Sequence, residues 1–496
     1  MAQQMKKLAK DTAIYGVSSI LGKFLNWCLV PLYTYVLANS AEYGVVTNLY
    51  AYTALLLVIL TYGMETGYFR FANKNKDEAD KVYSTSLTSV GVSSLLFALA
   101  CVVFSEPIAN AMGYASHPEF IVMLGVVVAM DAFGSIPFAY LRFKSRPIKF
   151  AALKLLMIFT NILFNLFFLI VCPWLAIKAP ALVDWFYDPT YGVGYVFVAN
   201  IMSTTIVTLA LLPDIFAAKF DFEWALLKKM LVYSLPLLIL GIAGIMNQTL
   251  DKIIFPFLME DKIRAATDLG IYGATSKIAM VMMMFTQAFR YAYEPFIFAQ
   301  HKDKNSMSAY ADAMKLFIIF TLFIFLGMVF YLDIFKYIIR YDYWDGLRVV
   351  PIVLFSFIFQ GVFFNLSLWY KLTDKTMYGA YFSIVGTIII VVINILFVPV
   401  FSYMASAWAG FICYFVMMVI SYYYGQKYMP IKYDLKSIGI YVGVAMGLYA
   451  ASFLVNTPYT ILNLAYKTVL LMVFVVLLIK RDFPLRVIPI VNRFFK

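Results

Sequence analysis

Residues 377–399 read MYGAYFSIVGTIIIVVINILFVP and contain no charged side chain. A helix of about 20 apolar residues crosses a hydrocarbon layer of ~30 Å, so this stretch predicts a transmembrane helix. Similar blocks recur along the 496-residue chain, which is 63% hydrophobic and 13% charged. Since charged residues make up about 25% of soluble domains, this composition excludes a water-soluble globular protein.

Working outward from this stretch, apolar blocks bounded by charged, proline or glycine residues predict fourteen membrane-spanning helices, numbered here as spans 1 to 14. Their predicted bounds are 13–38, 43–66, 82–105, 120–141, 150–171, 192–213, 230–251, 269–292, 313–332, 348–370, 377–399, 404–425, 437–455 and 461–480. The predicted fold class is therefore an all-α integral membrane protein.

The basic residues predict which side of the membrane each loop faces, because cytoplasmic loops collect Lys and Arg. With the N terminus inside, 27 of the 39 Lys and Arg residues fall in inner segments and 7 in outer loops. Both termini are therefore predicted to be cytoplasmic. The formal net charge of +12 follows from basic inner loops that contact anionic lipid, so nucleic acid is not an expected partner.

Cysteine and histidine are too few for most catalytic or metal chemistry. The four cysteines include no C-x-x-C pair, and the two histidines, His117 and His301, are far apart in sequence. The sequence also has no Walker loop for ATP. We therefore expect no metal centre, no cofactor and no enzymatic activity, with a coupling cation, H⁺ or Na⁺, as the one ion considered.

Two short motifs repeat along the chain at nearly the same offset. Glu42-Tyr43-Gly44 opens span 2, and Ile271-Tyr272-Gly273 opens span 8 in the same way, 229 residues later. The loop 141–144 before span 5 resembles 369–371 before span 11, at an offset of 228. Because six spans separate the copies, the two units have the same orientation and form a parallel repeat.

The repeat predicts two six-helix bundles related by a pseudo-two-fold axis along the membrane normal, plus two C-terminal helices. The predicted parts are an N-lobe of residues 1–213 with spans 1–6, a C-lobe of 214–425 with spans 7–12, and residues 426–496 with spans 13–14 and a cytoplasmic tail. A cavity is expected between the lobes.

Polar side chains within the apolar spans predict what lines that cavity, because a charge at mid-bilayer costs about 3 kcal/mol or more. The candidates are Lys23 and Asn26 in span 1, Asn48 and Tyr52 in span 2, Asn247 and Gln248 in span 7, and Lys277, Gln287 and Arg290 in span 8. These residues predict a hydrated cavity with a cationic centre, which suits an anionic group such as a phosphate.

Three acidic residues are candidates for a gate or for ion coupling: Glu65, Asp131 and Asp251. Asp131 lies mid-span, where it binds a coupling cation or proton, or else pairs with a neighbouring hydroxyl or lysine. Lys154 and Lys467 lie within about two turns of their span ends and are predicted to extend to the interface.

The outer loop 172–191 is rich in aromatic residues. Trp174, Trp185, Tyr187 and Tyr191 stand there together with two aspartates. Such a mixture suits sugar binding, but aromatic residues near span ends more commonly form the interfacial belt of a membrane protein. We favour the belt interpretation.

Several motifs resemble those of the polysaccharide (O-unit, Wzx-like) flippases, a branch of the multidrug/oligosaccharidyl-lipid/polysaccharide exporter superfamily. They are Asp11-Thr-Ala-Ile-Tyr-Gly with Pro31-Leu-Tyr, Glu42-Tyr43-Gly44, Asp251-Lys252 followed by Gly270-Ile-Tyr-Gly-Ala-Thr-Ser-Lys277, and Ile393-Asn-Ile-Leu-Phe-Val-Pro399 before Ala405 and Ala407. The resemblance extends over nearly the whole chain and is carried by the order of these motifs.

This resemblance implies fourteen helices in two lobes around a cationic cavity. It also implies that an undecaprenyl-pyrophosphate-linked oligosaccharide is moved from the inner to the outer leaflet of a bacterial cytoplasmic membrane by alternating access, for surface polysaccharide biosynthesis. In similar peptidoglycan-precursor flippases, cations lie on helices 1, 2 and 8, and Lys23 and Lys277 match two of these. The implied partners are the lipid-linked oligosaccharide, membrane lipids and polysaccharide-assembly membrane proteins, and a monomer is expected.

Three other functions stay open at this stage. A peptidoglycan lipid-precursor flippase also handles a pyrophosphate-linked saccharide. A cation-coupled drug antiporter of the same superfamily would have twelve spans and an acid-lined cavity, which disagrees with spans 13 and 14 and with the basic residues. A membrane glycan polymerase is more distant, because the outer loops, of about 20 residues at most, carry no cluster of catalytic acids.

Overall fold

A computed structural model describes residues 16–217, 219–300, 306–455 and 457–482. Residues 1–15 and 483–496, which include Tyr15 and most of the predicted cytoplasmic tails, lie outside the described part, as does His301. The described residues form helices and turns without a β-strand. The prediction of an all-α fold is confirmed.

The helices are numbered in chain order. In the first half they are α1 (16–27), α2 (Leu29–Val36), α3 (Ser40–Thr61), α4 (Met64–Lys74), α5 (Ala79–Val103), α6 (Ser105–Met112), α7 (Glu119–Phe143), α8 (Pro147–Leu166), α9 (Cys172–Lys178), α10 (Gly194–Ala210), α11 (Leu212–Ile215) and α12 (Trp224–Leu258). They continue as α13 (Lys262–Gln300), α14 (Ser306–Phe330), α15 (Leu332–Phe335), α16 (Val350–Leu366), α17 (Leu368–Leu372), α18 (Met377–Phe401), α19 (Tyr403–Tyr428), α20 (Leu435–Ala451) and α21 (Thr460–Arg481).

Within the described residues, eleven helical segments are long and apolar enough to cross a membrane. Two shorter apolar helices, α10 and α20, stand at predicted spans 6 and 13. Span 1 is described from residue 16 onward, as α1 and α2. The chain is therefore a multi-pass membrane protein, and the count of fourteen spans stays a prediction.

Local sequence signals explain where α3 begins and ends. Asn39 precedes it in an extended conformation, and its Oδ1 accepts a hydrogen bond from the Glu42 backbone N–H at 3.1 Å, a standard N-cap. Tyr62 and Gly63 both have positive φ, 33° and 69°, which ends the helix before α4 starts at Met64. The break places Glu65 in the first turn of α4.

The chain divides into two compact units. Unit 1 consists of Met1–Ala274 and Met377–Ala409, and unit 2 of Thr275–Thr376 and Gly410–Lys496. In unit 1, α12 packs against both α3 and α18, and α7 packs against α5, α10 and α3. In unit 2, α14 packs against α16, α20 and α21. The predicted lobe boundaries at residues 213 and 425 stay a prediction.

The turns that follow α7 and α17 have the same structure at the predicted repeat distance. After α7, the Arg146 N–H donates to the Leu141 carbonyl at 2.9 Å around Ser145, whose φ is 52°. After α17, 229 residues later, the Lys375 N–H donates to the Tyr370 carbonyl at 2.8 Å around Asp374, whose φ is 57°. Both are Schellman-type helix ends. The repeat predicted from sequence is thus present in backbone conformation.

Candidate functional site

The two lysines predicted to form a cationic centre are both half-buried on membrane helices. Lys23 lies on α1 in unit 1, and Lys277 lies on α13 in unit 2. Asn26, also predicted to line the cavity, is exposed on α1. That Lys23 and Lys277 share one cavity stays a prediction.

Further along α13, Gln287 and Arg290 occupy different environments. Gln287 is half-buried, and its Oε1 atom is buried without a hydrogen-bond partner among the described residues. Arg290 is exposed, with its guanidinium carbon 5.3 Å from the centre of the Phe364 ring. An exposed cation–π contact of this kind contributes about 0.5–1 kcal/mol. The Gln287 amide is thus the group with unused hydrogen-bonding capacity.

Asn48 joins α3 to two other segments of unit 1. Its Nδ2 donates to the Lys252 carbonyl of α12 at 2.7 Å, and its Oδ1 accepts from the Tyr114 hydroxyl at 2.9 Å. The side chain is buried, and both of its polar ends are used. Tyr52, one turn further along α3, is half-buried. Asn48 therefore holds helices together in this conformation.

Asp251 completes the same group of contacts. Its carboxylate lies 3.0 Å from the Lys252 ammonium and accepts a hydrogen bond from the Tyr272 hydroxyl of α13 at 2.9 Å. We call Asn48, Tyr114, Asp251, Lys252 and Tyr272 the Asn48–Asp251 cluster. It lies at the ends of α3, α12 and α13 that the charge distribution predicts to face outward.

Beside this cluster, α3 and α13 cross at van der Waals distance through glycines of the two repeated motifs. A Cβ on Gly44 would come within 3.0 Å of the Ala266 carbonyl oxygen, and one on Gly270 would come equally close to the Ser40 carbonyl oxygen. A Cβ on Gly273 would lie 3.1 Å from the Thr47 Cβ. Glycine allows such close approach of helices in membranes. Gly44 and Gly270 are required by this crossing, because the atoms that their side chains would meet belong to the backbone.

Asn247 and Gln248, both predicted for the cavity, point in different directions from α12. Asn247 is buried: its Nδ2 donates to the Ser383 carbonyl of α18 at 3.1 Å, and its Oδ1 accepts from the Thr387 hydroxyl at 2.9 Å. Gln248 is exposed. The Asn247 amide therefore ties α12 to α18 inside unit 1.

Unit 1 also contains a cavity of about 440 Å³ between α3, α4, α7, α8, α10 and their connections. Four ionisable side chains line it, and they are Glu65, Asp131, Arg142 and Lys154. Arg142 forms an ion pair with Glu65 at the end of the cavity where α7 finishes. We call this space the ionic cavity.

Lys154 extends into the ionic cavity, so the prediction that it reaches the interface is wrong. It lies seven residues after Pro147, about 10 Å along α8 at 1.5 Å per residue, and its ammonium is 4.0 Å from the centre of the Phe138 ring. The sequence shows how far a residue lies from the end of its helix, but it does not show which side chains of other helices surround that residue. Lys467, by contrast, pairs with Asp333 just beyond α14 at 2.8 Å.

The aromatic residues of the outer loop largely pack on one another. Tyr187 stacks on Tyr195 with ring centres 4.9 Å apart, and Tyr191 meets the same ring edge-on at 5.1 Å. Trp174 and Trp185 are 59% and 82% exposed. Exposed tryptophans beside a stacked core suit an interfacial belt, so the belt interpretation stays the favoured one.

Two features of the site were missed by sequence reasoning. No sequence pattern marked Tyr114 as a site residue, because its hydrogen bond to Asn48 forms only when the fold brings this loop close to α3. Thr204, whose buried hydroxyl lines the ionic cavity without a hydrogen-bond partner among the described residues, resembles any other threonine in an apolar helix. Its proximity to Asp131 is a tertiary property.

The helices and the polar clusters together define a polytopic membrane protein. Residues 8–299 match the family model described as "Polysaccharide biosynthesis protein". Since this match covers more than half of the 496 residues, the chain belongs to that family. No curated protein sequence matches it.

Solved structures of two related kinds share the fold. The lipid II flippase MurJ, in an inward closed conformation, is 13% identical with a TM-score of 0.71, over 95% of this chain and 98% of that one. A MATE-family multidrug resistance transporter in an outward-facing conformation is 12% identical with a TM-score of 0.60, over 84% and 95%. These shared folds confirm the predicted all-α membrane fold.

Proposed function

We propose that this protein is a flippase that moves an undecaprenyl-pyrophosphate-linked oligosaccharide from the inner to the outer leaflet by alternating access, for surface polysaccharide biosynthesis. It acts in a bacterial cytoplasmic membrane as a monomer with both termini inside. The pyrophosphate and glycan pass through the protein while the prenyl chain stays in lipid. No bond is made or broken in this process, so the chain acts without catalytic residues.

The glycine crossing of α3 and α13 is the observation that carries this proposal. At Gly44 and Gly270 the helices meet backbone to backbone, and the Asn48–Asp251 cluster seals the same ends with hydrogen bonds. Both contacts are non-covalent, and both lie at the predicted outer face. Alternating access requires such a contact on one side of the membrane, stable in one state and separable in the other.

Gene deletion tests the proposed activity. We expect the deletion strain to accumulate a lipid-linked oligosaccharide in the inner leaflet and to lose one surface polysaccharide. Wild-type protein restores the polymer, whereas Lys23→Ala and Lys277→Ala reduce it at equal protein level. Lys467→Ala is the matched control, since that lysine pairs with Asp333 at a helix end. An unchanged precursor pool and unchanged polymers would contradict the proposal.

The fold shared with MurJ makes a peptidoglycan lipid precursor the second candidate substrate. The two substrates predict different pools in the same strain. Accumulation of the peptidoglycan precursor with arrest of wall synthesis would favour the second candidate. Accumulation of a longer prenyl-linked oligosaccharide with intact wall synthesis would favour the first.

A disulfide across the crossing tests the alternating-access step. The Cβ positions at Thr47 and Gly273 are 3.1 Å apart, slightly below the usual ~3.5–4.5 Å for a disulfide. In a background without Cys28, Cys101, Cys172 and Cys413, oxidised Thr47→Cys/Gly273→Cys protein should stop flipping, and reduction should restore it. Thr47→Cys alone is the control. Normal flipping by fully cross-linked protein would exclude separation of these helices as a transport step.

A further inference from the structure

We propose that the ionic cavity is a proton-binding site of the first six helices, with the Asp131 carboxylate as the group that takes up the proton. Its coupling to transport rests on the proposed function, whereas proton binding itself does not. The binding step takes one proton from water in the cavity and converts the carboxylate to a carboxylic acid, which raises the charge of the cavity by one.

Asp131 is a carboxyl group in the middle of a membrane helix, where the charge of Lys154 acts on it but no hydrogen bond holds it among the described residues. It lies twelve residues after Glu119, where α7 begins. Among the described residues it forms no hydrogen bond within 3.5 Å and no ion pair within 4.0 Å, although it lines the ionic cavity. A buried carboxylate without partners is unfavourable at membrane depth, and protonation removes that charge.

The other charged groups that face Asp131 are few, and they are already partly neutralised. From α4, Glu65 faces the cavity and pairs with Arg142 of α7. From α8, Lys154 faces it, but its ammonium rests on the Phe138 ring. The helices α3, α5, α6, α10 and α11, which also pack on α7, place no ionisable side chain in the cavity lining. Among these groups, Lys154 is the one whose charge acts on the Asp131 carboxylate.

Polar but uncharged groups make the cavity suitable for water. Its volume of about 440 Å³ exceeds by roughly tenfold the ~30 Å³ that one water molecule occupies in the liquid. Thr61, Ser135, Thr204 and Thr208 line it, and the Thr204 hydroxyl is buried with no partner among the described residues. The proposal requires water in this space, as the partner of the Thr204 hydroxyl and as the path from Asp131 to the Glu65–Arg142 end.

A proton fits this site better than a metal cation does. The cavity lining offers a metal cation two carboxylates, and Arg142 already pairs with the Glu65 carboxylate. No group of three or more metal-ligating acidic, histidine or cysteine side chains occurs in the described ranges. A proton needs one carboxylate oxygen and space for water, and Asp131 and the volume of the ionic cavity provide these.

The second half of the repeat shows that the fold does not need a charge at this position. Gln360 lies 229 residues after Asp131, on α16. It is 2% exposed, and its Nε2 donates to the Tyr414 hydroxyl at 2.8 Å. A neutral amide with a partner thus occupies the equivalent helix position. The ionisable side chain of Asp131 is therefore a feature of α7 that α16 does not have at the corresponding position.

Infrared difference spectroscopy of the purified full-length protein in nanodiscs tests the assignment. Spectra between alkaline and acid pH should contain a protonated-carboxyl C=O band from a buried site, shifted in D₂O. Asp131→Asn should lose this band, Asp131→Glu should keep a displaced band, and Asp184→Asn in the outer loop should leave it unchanged. Folding of every variant is checked by thermal melting.

Lys154→Gln provides a second readout. Removing the nearby positive charge favours the protonated carboxyl, so the band should appear at higher pH than in the wild type. A band that persists unchanged in folded Asp131→Asn protein would overturn the proposal. So would a band that disappears on addition of Na⁺ at constant pH, because a metal cation would then compete for the site. These spectra need no lipid-linked substrate, so their outcome is independent of the flippase experiments.

Discussion

The Asn48–Asp251 cluster and the ionic cavity are both polar sites inside unit 1, but they differ in how their polar groups are paired. In the cluster, Asn48 and Asp251 use both ends of their side chains in contacts of 2.7–3.0 Å. In the cavity, Asp131 and Thr204 have no partner among the described residues. The first arrangement fixes helices, and the second leaves groups available for water and protons.

This difference separates two reasons for placing polar residues in a membrane. A paired cluster stabilises one helix arrangement, because opening it exposes several donors and acceptors at once. An unpaired carboxylate contributes nothing to stability and is unfavourable when ionised. Removing groups from the cluster should therefore destabilise the protein, whereas removing Asp131 should not. The following substitutions test this contrast.

Gly270→Val should have the largest effect. Its side chain would collide with the Ser40 carbonyl, and a backbone atom cannot rotate away, so the crossing must separate at a cost of about 3 kcal/mol or more. We expect a large fall in melting temperature and loss of complementation. Gly443→Val is the matched control, because a Cβ there meets nothing within 4 Å. Equal melting temperatures for the two variants would contradict the crossing.

Asp251→Ala should have the second-largest effect on stability. It leaves the largely buried Lys252 ammonium beside the Tyr272 ring without its carboxylate, and breaking such a pair costs about 3 kcal/mol. Tyr272→Phe removes one hydrogen bond from the same carboxylate and should cost about 1 kcal/mol. Thermal melting in one detergent compares the two. A larger loss for Tyr272→Phe would show that the ion pair does not hold the cluster together.

Gln360→Leu and Asp131→Leu should act in opposite directions, although they are at equivalent positions of the repeat. Gln360→Leu removes the buried hydrogen bond to the Tyr414 hydroxyl and should destabilise by about 1–3 kcal/mol. Asp131→Leu removes an acid that no hydrogen bond holds, while Glu65 remains as a negative charge acting on Lys154, so stability should be unchanged or raised. Chemical denaturation measures both. Destabilisation by Asp131→Leu as large as that by Gln360→Leu would mean that Asp131 has a structural partner.

The sequence was informative about polar residues that stand out against apolar surroundings. Glu65, Asp131, Asn48 and Asp251 were all identified from sequence, because charge and amide groups are costly in lipid. Their pairing could not be predicted, since it depends on neighbours from other helices. Asp251 accepts a hydrogen bond from Tyr272, while Asp131 faces the ionic cavity. The same limit made the prediction for Lys154 wrong.

The sequence was less informative about the contacts of glycines than about the location of charged residues. The Glu42-Tyr43-Gly44 and Ile271-Tyr272-Gly273 motifs identified the repeat, and the turns around Ser145 and Asp374 confirm it at the same offset. The sequence did not show that these two motifs contact each other where α3 and α13 cross. A glycine has no side chain to show what it contacts, so its packing partner appears only in three dimensions.

The smallest effect is expected outside the membrane, at the exposed pair of Lys81 and Glu223, 2.7 Å apart. The hydrogen bond from Lys81 and then its charge hold the pKa of Glu223 below the usual range of glutamate. The unfolded chain therefore binds this proton more readily than the folded one. The stabilisation is present above the usual glutamate range and is lost as the pH falls through the lowered pKa. Glu223→Gln should thus lower the melting temperature slightly at neutral pH and leave it equal to the wild type in acid, whereas a difference that grows in acid would reverse the sign of this interaction.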